Sequence, residues 1–183
     1  MRFETPSPEA LEAARDDLLP DVLADDLDVL FVGINPSLYS AAVGHHFARP
    51  GNRFWPALHQ AGMTPRLLHP SEDHLLPRWG GGLTNLAARP TAKASELSAA
   101  ELREGGAILE AVVREHRPRT VAVVGVTAYR QAFSRPKAQL GKQSETLGEA
   151  WLWVLPNPSG LNAHYQLPAL AELYGQMLAD VRA

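Results

Sequence analysis

Two short loops carry the residues best suited to chemistry in this chain: Asn35-Pro36-Ser37 and Asn157-Pro158-Ser159-Gly160. A carboxamide presents a donor and an acceptor on one planar group, so it can hold a water or read the edge of an amide-like ring. The following proline fixes the backbone and preorganises that amide. One such loop alone reads as a plain turn, because Asn and Pro are turn residues. Two of them, each after a continuous apolar run, read as paired binding loops on one edge of a sheet. Between them, the stretch from Gly44 to Trp55 (GHHFARPGNRFW) mixes cations with aromatics. That is the composition of a loop that stacks on nucleobases and touches phosphate.

Other chemistries lack their parts. There is no cysteine, which excludes a disulfide scaffold, a thiolate zinc site, a cysteine nucleophile and a Cys-ligated iron–sulfur cluster. Gly80-Gly81-Gly82 precedes a strand-like run instead of a helix, and no phosphate-cradling or dinucleotide-binding glycine pattern follows a strand. No H-E-x-x-H pattern appears. Ser159 follows a strand, but a nucleophile elbow needs glycine two residues earlier, where this chain has Asn157. His45 and His46 are adjacent, so they point apart, and no third ligand is spaced near them. Neither a metal nor a cofactor is expected.

The loops need elements to position them. Residues 28–33, 120–125 and 150–155 are continuous apolar runs ending in Gly or before Pro, the pattern of strands covered on both faces. Residues 82–86 form a weaker fourth. Helical patterns span residues 8–23, 54–61, 98–116 and 167–181. In the third, Ser98 and Glu101 form a capping box before the stripe Leu102, Ile108, Leu109, Val112 and Val113. Strands alternating with helices predict an α/β fold: a single-domain three-layer α/β/α sandwich with a mainly parallel, about four-stranded sheet. Ligands of such sheets sit outside the carboxyl ends of the strands, which is where both Asn-Pro loops fall.

The 183 residues suffice for one domain, and a chain this long buries ~70% of its unfolded surface. The net charge of −3 is uneven. Residues 1–28 hold nine acids against Arg2 and Arg15, leaving 15 basic and 11 acidic groups in the remainder. Arg49, Arg53 and Arg66 cluster in one stretch, and Arg130, Arg135, Lys137 and Lys142 in another, as on a surface that meets a polyanion. No apolar run is long enough for a membrane span, and the N-terminus is acidic where a signal peptide is basic and then apolar. The expectation is a soluble, cytoplasmic monomer without a membrane partner. Residues 1–27 read as an acidic N-terminal helical extension to a domain of residues 28–183.

The stretch GINPSLYSAAVGHHFARPGNRFW (33–55) closely resembles the first motif of the mismatch-specific uracil-DNA and thymine-DNA glycosylases. LPNPSGLN (155–162) is similar to the second motif of their bacterial mismatch-specific branch. GLTNLAARPT (82–91), ELREGG (101–106) and KAQLGKQ (137–143) also look like that family. The resemblance implies a uracil-DNA glycosylase-like fold and a monofunctional DNA repair glycosylase without cofactor or metal cluster. Such an enzyme flips uracil, or a related damaged or mismatched pyrimidine opposite guanine, out of duplex DNA. It then hydrolyses the N-glycosidic bond and leaves an abasic site. In a bacterium it works at the nucleoid.

Residue by residue, the resemblance makes Asn35 the catalytic group that holds the attacking water by position, since an amide is a poor base. Gly33, Ile34, Ser37, Phe47, Asn85 and Asn157 become the pyrimidine pocket. Phe47 stacks on the flipped ring, and backbone N–H groups around Ile34 and Ser37 support the departing base. Ser159, Gly160, Leu161 and Asn162 become the DNA-binding wedge that fills the vacated stack. Ser37 stands where the family often has glycine, and Asn162-Ala163-His164 lacks the bacterial branch's arginine. The acids Glu72 and Asp73 are more like the thymine-acting branch, and Asp73 is expected as a second catalytic group, because a carboxylate activates water better than an amide. A non-catalytic nucleic-acid binding module and a small-molecule nucleoside hydrolase are the alternatives. The module needs no water-orienting group, and the nucleosidase needs neither Leu161 nor the Arg135 and Lys137 cluster.

Overall fold

In the computed structural model, which describes residues 2–183, the three apolar runs form β1 (Val29–Gly33), β3 (Thr120–Val124) and β5 (Ala150–Leu155). The weaker fourth forms β2 (Gly81–Asn85). A fifth strand, β4 (Gly141–Leu147), lies antiparallel to β5 at one edge, and the order is β2-β1-β3-β5-β4 with every other pairing parallel. The expected count of four therefore rises to five. No apolar run announces β4, because until Leu147 its residues are exposed or half-buried in alternation. A polar, charged edge strand also resists pairing with a second sheet.

Successive strand residues point to opposite faces, and both faces are covered. On one side Val29, Phe31, Leu83, Val124 and Leu155 pack against α3 (Phe54–Gln60) and α6 (Leu167–Arg182). On the other Leu30, Val32, Val123, Leu152 and Val154 pack against α4 (Ala99–His116) and α5 (Val126–Ala132). This is the three-layer α/β/α sandwich. It explains why the strands read as continuous apolar runs: fully burying each such side chain contributes ~1.5–3 kcal/mol, whichever face it takes.

The capping box of α4 forms as its spacing predicts, with Ser98 Oγ accepting from the Glu101 N–H at 3.1 Å and a Glu101 carboxylate oxygen accepting from the Ser98 N–H at 3.0 Å. One turn further on, Gly105 lies against the Leu86 carbonyl, where a side chain would collide with the backbone. The helix thus presses directly on the loop that follows β2.

The predicted helix over residues 8–23 is much shorter. α1 is Pro8–Ala13, capped by Ser7 Oγ on the Ala10 N–H, and a 3₁₀ turn at Ala14–Asp16 ends it. Asp17 is extended, and Pro20 disfavours helix at Leu19. The chain then joins the sheet. Val22 and Leu83 exchange both backbone hydrogen bonds, at 2.9 and 2.8 Å, and the Asp26 N–H donates to the His116 carbonyl. The short helix α2 (Leu38–Val43) and α5 were not expected, since six or seven residues are too few to show a 3.6-residue period. No helix among the described residues is long and apolar enough to cross a membrane.

Candidate active site

A cleft of about 340 Å³ opens at the carboxyl ends of the parallel strands. Ile34 and Asn35 enter it after β1, Asn85 ends β2, Val124 ends β3, and Asn157 follows β5. Both Asn-Pro loops therefore meet in one place, at the edge where an open α/β sheet binds its ligand.

Asn35 is held by the loop after β2. Its Nδ2 donates to the Arg89 carbonyl and to Thr91 Oγ1, both at 2.8 Å. A carbonyl only accepts, so this contact fixes which end of the amide is nitrogen. Thr91 is buried and its hydroxyl donates onward to the Lys93 carbonyl at 2.8 Å. Among the described residues no protein donor reaches Asn35 Oδ1, which leaves an oriented acceptor at the cleft. The two loops are laced together by backbone bonds from Leu86 to Gly33, Ala87 to Ile34, Thr91 to Pro36 and Leu38 to Thr91. Gly105 presses the same loop from behind. A mobile amide would lose most of its orienting power, and this one has little freedom.

Gly33 separates Phe47 from Asn85: a methyl group there would collide with Asn85 Oδ1 and stand 3.4 Å from the Phe47 ring. Phe47 stacks on the buried Phe54, with ring centroids 4.0 Å apart and planes 21° from parallel. Its φ of 51° is rare for a bulky residue and requires support from its surroundings. Four bonds around it supply that support. The His46 N–H donates to Asp73 Oδ2 at 3.0 Å, and the His46 carbonyl accepts from the Trp55 indole at 3.1 Å. The Ala48 N–H donates to Ser40 Oγ, and His46 Nε2 donates to the Pro20 carbonyl at 2.8 Å. Because Pro20 only accepts, His46 carries its proton on Nε2, and burial pushes its pKa below the ordinary histidine value.

Asp73, expected as a second water-activating group, is not among the residues that line the cleft. It is buried and both its oxygens are committed, Oδ1 to His45 Nδ1 at 3.1 Å and Oδ2 to the His46 amide. Both bonds tie it to the segment that leads into Phe47. Neighbouring Glu72 is also structural. Arg66 and the His69 amide hold its carboxyl down to about 2. Ser37 lines the cleft but also caps α2, its Oγ accepting from the Ser40 N–H at 3.0 Å.

On the far wall Asn157 Oδ1 accepts from the Ser159 N–H at 3.0 Å, and its carbonyl accepts from Asn162 Nδ2. Ser159 Oγ accepts from the Leu161 N–H, and Asn162 Oδ1 from the His164 N–H. These local turns lift Leu161 clear of the body, 77% exposed, at the mouth of the cleft. Gly160 stands outside the cleft against the Gly51 carbonyl, and Asn162 faces a neighbouring hollow of about 310 Å³ with His164 and Tyr165.

Several cleft residues escaped the sequence reading. Thr91 ends the GLTNLAARPT stretch and Lys93 lies two residues beyond it, and neither carries a role that its sequence context assigns. Leu19 carries no sequence signal at all; the Val22–Leu83 bridge brings it there. Of the first basic cluster, Arg49 is exposed at the mouth, Arg66 is paired with Glu72, and Arg53 is turned inward. In the second, Arg135 pairs with Glu145 and Lys142 with Asp180.

A five-stranded, mostly parallel sheet between helical layers, with a ligand cleft over its strand ends, is the class that fold and site define. The same fold occurs in the solution NMR structure of a provisionally named uracil DNA glycosylase from Methanosarcina acetivorans, with a TM-score of 0.59 and 18% identity over 88% of this chain and 98% of that one. Residues 20–182 match the model of the uracil DNA glycosylase superfamily, and the chain belongs to that superfamily. Its functional class is accordingly DNA glycosylase.

Proposed function

We propose that the protein is a monofunctional uracil-DNA glycosylase of the mismatch-specific type, acting on uracil opposite guanine in duplex DNA. The observation that carries this reading is the Asn35 amide at the cleft, with its nitrogen consumed by Arg89 and Thr91 and, among the described residues, no protein donor on its oxygen. A water donating to Oδ1 is aligned for attack on the sugar C1′ of a flipped nucleotide. The N-glycosidic electron pair leaves on the pyrimidine, where backbone N–H groups beside Ile34 and Ser37 stabilise the growing charge. Phe47, braced on Phe54, is the stacking surface, and Asn85 meets the ring edge. The Asn157 turn raises Leu161 to occupy the vacated stack. Arg49 and Lys93 at the mouth suit flanking phosphates.

The glycosylase unit in this reading includes residues 18–27 as well as residues 28–183, because Leu19 lines the cleft and Pro20 anchors His46. The test is excision from a duplex with one uracil opposite guanine, read as strand cleavage by alkali at the abasic site. Cleavage only after alkali is expected. A duplex left intact under single-turnover conditions refutes the reading and returns the binding module as the better account. Release from free nucleosides but not from duplex would identify a nucleoside hydrolase.

A further inference from the structure

Arg53 has the sequence context of a phosphate contact, between Arg49 and Arg66 in an aromatic-rich loop, yet its side chain is half-buried and points at the protein's own backbone. Nη1 donates to the carbonyls of Asn162 at 3.0 Å, Tyr165 at 3.1 Å and Ser159 at 3.3 Å, and Nη2 to that of Gly160 at 3.3 Å. The Arg53 N–H donates to the Pro158 carbonyl at 2.9 Å. The loop after β5 therefore wraps its carbonyls around one guanidinium. Three of its N–H groups, those of Ser159, Leu161 and His164, are met by its own side chains through the Asn157, Ser159 and Asn162 turns, and the Asn162 N–H donates to the Ser159 carbonyl. The two sets are complementary: side-chain acceptors take those three donors, and Arg53 takes the carbonyls of Ser159, Gly160, Asn162 and Tyr165.

We propose that Arg53 is the positioning residue that holds Leu161 outward for entry into the duplex, a role that rests on the DNA glycosylase reading of the cleft. Converging carbonyl dipoles concentrate negative potential, and only a cation with several divergent donors can neutralise four of them together. A planar fork with five N–H groups does this; a lysine ammonium carries three and cannot span from Gly160 to Tyr165 in the same way. Packing supports the clamp. Gly160 lies on the Gly51 carbonyl, so a side chain there would put its Cβ 2.7 Å from that oxygen. The segment that presents Phe47 thus also shapes the wedge, six residues later. Stacking surface and wedge are two ends of one braced unit, and loss of the brace acts on base extrusion before it acts on chemistry.

Arg53→Met, Arg53→Lys, Leu161→Ala and the Arg53→Met/Leu161→Ala double variant are compared in single-turnover excision. Uracil is placed opposite guanine, opposite adenine and in single strands, with a 2-aminopurine neighbour reporting extrusion. Arg53→Met is expected to slow excision ~10-fold or more opposite adenine, less opposite guanine and least in single strands, since a misplacement of about 1 Å costs up to ~100-fold. Its 2-aminopurine signal falls with the rate. Arg53→Lys recovers part of the loss. The double variant is no slower than the worse single one, because both act through one contact. Equal loss on all three substrates, or additive losses, overturns the proposal. Gly160→Ala, which keeps Arg53 but displaces the same loop and the Gly160 carbonyl it holds, gives the same substrate ranking and serves if Arg53→Met does not fold. Amide hydrogen exchange of residues 159–165 separates this proposal from the functional reading. Faster exchange there in Arg53→Met, with β1 and β3 unchanged, supports the clamp even if the wild type excises nothing, and unchanged exchange refutes it even if the wild type is active.

Discussion

The loops after β1 and β5 share the tripeptide Asn-Pro-Ser, and the fold uses them oppositely. At Asn35 the neighbouring loop consumes the amide nitrogen, and Oδ1 remains for a ligand. At Asn157 the loop's own turn consumes Oδ1, through the Ser159 N–H. The first amide is preorganised by distant chain and presents an acceptor. The second is spent on local shape and fixes the turn that carries Leu161. An amide's chemistry is thus set by which of its ends the surroundings take.

Substitutions can break this contrast. Asn35→Ala is expected to slow single-turnover excision ~100-fold or more, because water positioning is lost while the backbone donors to the departing base remain, and to cost ~1–3 kcal/mol of stability through the Arg89 and Thr91 acceptors left unpaired. Asn157→Ala should cost ~10-fold, chiefly by loosening the turn under Leu161, and amide exchange at Ser159 should rise with it. A reversal of these two magnitudes would mean that the loops have been assigned the wrong way round.

Thr91→Val sharpens the Asn35 half. It removes one of two acceptors for Nδ2 and keeps the shape, so excision should fall several-fold, with ~1–3 kcal/mol lost from stability in chemical denaturation through the groups left unpaired. Unchanged excision would show that Arg89 alone holds the amide.

The acid response tests the brace between the loops. His46 is held neutral in the folded protein, its pKa lowered by burial, and its Nε2–H is bonded to Pro20. The unfolded chain then binds the proton more readily. The stability owed to neutral His46 is complete above about pH 6.5 and declines as the pH falls below that value. His69, also lowered by burial, acts in the same direction. Denaturation midpoints across pH 5 to 8 should fall on the acid side, and less so in His46→Gln, which has no titrating ring. A midpoint that rises with acid would mean that His46 is charged in the fold.

Much of this is legible in the sequence. Strands buried on both faces write themselves as continuous apolar runs, and the Ser98 capping box marks the start of α4 to the residue. The loop residues fall at the right sheet edge because each follows such a strand. β4 stays hidden because Lys142, Gln143, Ser144 and Glu145 hold a polar edge without a run to read. Leu19 stays hidden because its place depends on Val22 meeting Leu83, some sixty residues away. Asp73 misleads because residue type shows a carboxylate but not its partners; His45 and the His46 amide take both oxygens. Arg53 misleads for the same reason, reading as a surface cation when four carbonyls surround it. Short-range pattern is written in the sequence, and the partner a polar group finds across the fold is not.

The most direct test of the division of labour compares Asn35→Ala with Asn157→Ala on two duplexes that differ only in the base opposite uracil. Single-turnover excision is measured opposite guanine, a mismatch that opens easily, and opposite adenine, a proper pair that resists extrusion. If Asn35 serves the chemical step, its loss lowers both rates by the same factor. If Asn157 serves the wedge, its loss lowers the rate opposite adenine by the larger factor. Equal factors for Asn157→Ala, or a pairing-dependent factor for Asn35→Ala, would contradict the account.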